Sequence, residues 1–89
     1  MAKYEITFLF NRDEKEPKKV AQALFKAGKI KAVKVDDWKV KELAYPVNKQ
    51  TEAYYLYFEV EAEEKDLPEL NKKIKLEERI LRSLIVKIK

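Results

Sequence analysis

The 89-residue chain contains no cysteine and no histidine. The first absence excludes disulfides, thiolate catalysis and zinc–cysteine sites. The second removes the commonest general base and the commonest metal ligand. Glycine occurs once and proline three times. No apolar run approaches the roughly 20 residues that a bilayer-spanning helix needs, and the opening residues do not read as a charged-then-apolar leader. What is present is a hydrophobic share of 46% with ten aromatic residues, enough for one core and against disorder. The length predicts one domain over residues 1–89. Charged residues reach 40%, well above the roughly 25% of ordinary domains.

Charge is unevenly spread. Residues 50–66 hold six acids against Lys65 alone, a net of −5, so the remaining chain carries +9 of the overall +4. A basic body with one acidic patch suits an anionic partner approached from one side. Solubility and ion pairing on helices account for the same composition, as does the heavy Lys and Glu use of heat-stable proteins.

Residues 3–10, KYEITFLF, alternate: Tyr4, Ile6, Phe8 and Phe10 share one parity, which predicts a half-buried strand. Pro17 suits the first turn of a helix, and Val20, Ala23, Leu24 and Ala27 recur at helical spacing. Gly28 is expected to stop that helix in the left-handed conformation. Residues 30–43 are rich in β-branched side chains, but Val33 and Val35 differ in parity from Trp38 and Val40. A β-bulge at Asp36-Asp37 would return all four to one face; a short turn is the alternative. Pro46 is expected to end this strand. Residues 53–62 alternate clearly, with Tyr54, Leu56, Phe58 and Val60 on one side and Tyr55, Tyr57, Glu59 and Glu61 on the other. Leu67, Leu70, Asn71 and Ile74 mark a second helix, capped by Asp66 and opened by Pro68. Glu69 and Lys73 are spaced to pair along it. Residues 80–88 form a last strand. The order βαββαβ predicts an α+β, ferredoxin-like plait: a four-stranded antiparallel sheet of order 4-1-3-2 with two helices on one face. The other face is left open.

The segment from Lys39 to Glu61, KVKELAYPVNKQTEAYYLYFEVE, resembles the bacterial small-ribosomal-subunit protein number six family. Leu43, Ala44, Tyr45, Pro46, Val47 and Lys49 match its motif, as do Tyr54, Tyr55 and Leu56. The opening Lys3-Tyr4-Glu5 and the ending Leu81 to Lys87 also resemble that family. Everything but the first helix region is covered. The chain departs from the family at Lys39 and Ala53, where the family has glycine, at acidic Glu42, and in a shorter first helix. The resemblance implies a structural, non-enzymatic role without cofactors in the cytoplasmic ribosome. It implies binding of 16S ribosomal RNA together with small-subunit protein eighteen, which docks on the sheet. A designed or stability-engineered scaffold on the same fold, without retained binding, is the alternative that this glycine-poor, Lys/Glu-rich composition also fits.

Tyr55, Tyr57, Leu84 and Val86 are expected on the open face as partner-binding residues, because apolar side chains on an uncovered sheet face mark interaction sites. Lys3, Lys49, Arg79, Arg82, Lys87 and Lys89 are the candidate RNA contacts, neutralising phosphates rather than reading bases. Lys3, Lys87 and Lys89 are expected to gather where the chain ends meet. Tyr45 is expected to anchor its loop. The chain is expected to be a monomer when alone. Base stacking of the RNA-recognition-motif kind is disfavoured, since Glu59 and Glu61 share the tyrosine face and repel phosphates. Acyl-phosphate hydrolysis needs a glycine-rich cradle after the first strand, which NRDEKEP lacks. No nucleophile, base and oxyanion donor assemble, and neither a metal site nor a small-molecule substrate is implied.

Overall fold

A computed structural model describes residues 2–47 and 49–88, with 44–47 described by backbone alone. The elements are β1 (Ala2–Asn11), α1 (Pro17–Ala27), β2 (Lys31–Val47), β3 (Gln50–Ala62), a 3-10 turn (Glu64–Asp66), α2 (Leu67–Leu76) and β4 (Ile80–Ile88). They build the expected plait. The sheet order is β2-β3-β1-β4, the same sequence of neighbours read from the other edge, and every pairing is antiparallel.

Long alternation makes β1 and β3 the sheet's centre, and their inward parities supply the core. Tyr4, Ile6, Phe8 and Phe10 meet Leu56, Phe58 and Val60 beneath Val20, Ala21 and Phe25 of α1 and Leu70 and Ile74 of α2. Four phenylalanines knit the layers: Phe25 of α1 stands edge-on to Phe58 of β3 at 4.9 Å, and Phe8 meets Phe58 at 5.9 Å. These separations lie within the range preferred by aromatic pairs.

The helices differ from expectation in detail. The buried face of α1 is Pro17, Val20, Ala21 and Phe25; Ala23 and Ala27 are exposed, because alanine's small side chain marks a helix without marking a side. Gly28 is not left-handed (φ −92°); Lys29 is (φ 58°). The Ile30 N–H donates to the Phe25 carbonyl at 2.8 Å and the Lys29 N–H to that of Lys26 at 3.4 Å. This is a Schellman motif whose left-handed residue is Lys29. Gly28 is instead buried; a Cβ there would lie 3.4 Å from the Leu24 carbonyl oxygen and 3.5 Å from Ile30 Cγ1. Asp66 gives α2 no side-chain cap, since the 3-10 turn runs directly into the helix. Lys73 does not pair with Glu69; its Nζ donates to the Ala27 carbonyl at 3.2 Å, placing a cation at the negative end of α1.

The second strand also departs from expectation. β2 continues through Pro46 to Val47. It is an edge strand, where a residue lacking an N–H removes no ladder bond. Its register against β3 slips between Ala32 and Lys34 and again between Asp37 and Lys39. The second slip is a bulge just beyond the expected Asp36-Asp37, with Trp38 as the extra residue. Lys39 beyond it has φ 59°, and its N–H donates to Asp37 Oδ1 at 2.9 Å. The glycine that the family carries at this position meets such a φ without the Cβ penalty.

Candidate partner and nucleic-acid interface

The bare sheet face is set by register. Thr7 of β1 lies opposite Tyr57 of β3 and Leu84 of β4; Leu9 lies opposite Tyr55 and Arg82; Glu5 lies opposite Glu59 and Val86. All share the parity that points away from the helices. Leu84 is 61% exposed and Val86 47%, while Tyr55 and Tyr57 are half-buried. The four expected partner-binding residues therefore lie on one face of the sheet, on the two strands, β3 and β4, that flank β1.

Trp38 completes this surface. Treating the bulge as restoring one apolar face would send Trp38 inward with Val35 and Val40. Val35 lies opposite Phe58 and Val40 opposite Tyr54, on the helix side, but Trp38 turns to the bare side. Its ring lies 5.4 Å from that of Tyr57 with 8° between planes, and 6.3 Å from that of Tyr55. Lys41 Nζ sits 4.8 Å above the indole, within cation–π reach. Trp38 keeps 40% of its surface exposed. Its parity alone gave no sign of this, because a bulge residue follows neither parity of its strand.

The bulge is pinned from the helix side. Tyr54 Oη donates to Asp37 Oδ2 at 2.6 Å, and Lys18 Nζ lies 3.7 Å from the same oxygen. Partial desolvation pushes the Asp37 carboxyl up, but the Tyr54 and Lys39 hydrogen bonds and nearby Lys18 outweigh it and hold the group below its ordinary range. The Asp37 hydrogen bond, with burial, raises the Tyr54 phenol to about 12. On the bare side the Tyr57 phenol is also raised to about 12, by desolvation and then by Glu5 and Glu59. Its hydroxyl donates to Glu59 Oε1 at 3.4 Å.

The candidate cations do not form one cluster. Lys49, with φ 64° in the β2–β3 turn, shares a shallow cleft with Arg12 at the end of the sheet where β1 finishes. Arg82 lies towards that same end on the bare face, opposite Leu9. Arg79 precedes β4 but is engaged: its Nε donates to Glu77 Oε1 at 2.9 Å and its Nη2 to Oε2 at 3.3 Å. That contact lowers the Glu77 carboxyl and raises the guanidinium. Lys3 and Lys87 sit at the opposite end, where the chain ends do meet, but on opposite faces: Lys3 lies opposite Ile88, whereas Lys87 lies opposite buried Tyr4. Lys89 and the Tyr45 side chain fall outside the described residues. Arg12, bonded to Glu52 at 2.9 Å, was missed in the sequence because acidic neighbours masked it.

Comparison with known proteins agrees with this geometry. A sequence model of ribosomal protein S6 matches residues 3–87. A small ribosomal subunit protein bS6 from Variovorax paradoxus (strain S110) is 36% identical over 93 aligned positions, covering all of this chain and 75% of the relative. The crystal structure of 30S ribosomal protein S6 from Thermotoga maritima superposes with a TM-score of 0.79 at 20% identity, covering 98% of this chain and 87% of that one. The family-model match over residues 3–87 and the 36% identity across the whole chain, on a shared fold, place the chain in the ribosomal protein S6 family, as a structural component of the small ribosomal subunit.

Proposed function

We propose that the chain binds 16S ribosomal RNA together with small-subunit protein eighteen, the protein docking on the bare sheet face and the RNA meeting the cationic rim. The observation that carries this reading is the uncovered surface of Trp38, Tyr57, Leu84 and Val86 on a sheet whose other face holds the core. Contiguous apolar patches on a folded domain mark interaction sites. Acids occupy the two central strands of that face, at Glu5, Glu59 and Glu61. They disfavour phosphate there and push RNA contact outward, to Lys49, to Arg82 and to Lys3. Arg12, held by Glu52, Arg79, held by Glu77, and Lys87, on the helix side, are weaker contributors. Phosphate contacts of this kind give salt-dependent affinity without a base code.

The test is a filter-binding titration with the platform fragment of 16S RNA, with and without protein eighteen, at low salt. The expected result is tighter RNA binding in the partner's presence. No gain on adding the partner would reject cooperative assembly.

A further inference from the structure

Glu5 and Glu59 face one another directly across the two central strands. Like charges in directly opposed positions destabilise a sheet. The neighbours do not relieve them: the cross-strand residue on the far side of Glu5 is Val86, and Lys34, opposite Glu59, directs its Nζ to Asp36 at 3.8 Å. Among the described residues neither carboxylate has a cation within ion-pair distance. The Tyr57 hydroxyl lies between the two carboxylates, donating to Glu59 Oε1 at 3.4 Å and also hydrogen-bonding with Glu5, which leaves both charges without a cation. The same surface carries the stacked Trp38 and Tyr57 rings and the exposed Leu84 and Val86.

Two carboxylates set among aromatic and aliphatic surface match a planar, forked cation on an apolar stem. A guanidinium donates to two carboxylates at once and stacks on aromatic faces; an ammonium does neither as well. Phosphate is repelled by the same pair. We propose that Glu5 and Glu59 are the specificity-determining residues of the bare face, seating an arginine of the docked protein partner with its stem along Tyr57 and Trp38. This rests on the proposed docking of a protein on that face and names the chemistry that the face selects.

Protein eighteen is titrated against the wild type and against Glu5→Gln, Glu59→Gln and the double variant, at two salt concentrations. The double variant is expected to bind at least about 10-fold more weakly, about 1.4 kcal/mol, with a shallower salt dependence. Its unfolding temperature when free is expected to equal or exceed that of the wild type, since a repulsion has been removed. Equal affinity of the double variant and the wild type would overturn the arginine seat while leaving docking intact. A fall in unfolding temperature would overturn it too, by making the pair structural. Binding to neither protein would remove the docking reading itself. Tighter binding of the RNA fragment to the double variant, with protein affinity unchanged, would assign the face to RNA instead. Hexa-arginine is expected to displace the partner from the wild type at lower concentration than hexa-lysine; equal potency would overturn the choice of arginine.

Discussion

Lys29 and Gly28 exchange the roles that their residue types suggest. The left-handed conformation costs an L residue roughly 1–2 kcal/mol, and Lys29 holds it at φ 58°. Lys29→Gly should therefore stabilise the domain by about 0.5–1 kcal/mol in urea unfolding, after the entropy of the added glycine is counted. Gly28→Ala should be tolerated, because φ −92° suits alanine and the nearest atoms stand at ordinary contact distance. A strong loss from Gly28→Ala would contradict the assignment. Asp37 and Tyr54 form the other informative pair. Tyr54→Phe should cost about 1.5 kcal/mol at neutral pH, as one hydrogen bond to a charged group disappears. The raised Tyr54 phenol contributes stability that is complete below its ordinary value of 10.0 and is lost as pH rises through about 12. The depressed Asp37 carboxyl contributes stability present above its ordinary 3.8 and lost as pH falls through its lower folded value. In Tyr54→Phe, stability measured against pH should lose the Tyr54 share of the alkaline slope, leaving that of Tyr57, and flatten at the acid end.

The elements differ in how plainly the sequence announced them. β1 and β3 were legible because alternation runs unbroken along each, and β4 because its residues 80–88 are a short apolar, β-branched run, the span the structure gives it. One irregularity interrupts it: Phe10 lies opposite Ile80 and Leu9 opposite Arg82, leaving Leu81 as an extra residue. β2 was legible as a strand but not by side. Each bulge adds a residue and reverses the parity that pattern reading relies on, so Trp38 was placed inward while the structure stacks it on Tyr57. In α1 the alanines gave the period without the face. The bare face itself was legible from Tyr55, Tyr57, Leu84 and Val86; the facing acids Glu5 and Glu59 were not, because opposition across strands depends on register. At this scale the test is Leu84→Lys. With 61% of the side chain already in solvent, it should leave unfolding stability within about 0.5 kcal/mol yet weaken partner docking at least about 10-fold, some 1.4 kcal/mol. A large stability loss would make Leu84 a fold residue instead.

The molecule as a whole divides its labour between two faces. The helices close one side of the sheet over a core of phenylalanines. The other side keeps acids at the centre of its two middle strands and cations on the outer strands and ends, with an aromatic stack between. The basic body and acidic segment noticed in the sequence resolve partly into this arrangement, since Glu59 and Glu61 of the acidic segment lie on the bare face and Glu52 is bonded to Arg12. The single tryptophan of the chain stands in that face and reports on it directly. Its fluorescence, followed while protein eighteen is added, should shift to shorter wavelength and saturate at equal stoichiometry as the indole leaves water. An emission spectrum unchanged at concentrations where sedimentation shows the complex formed would place the partner elsewhere and contradict the account.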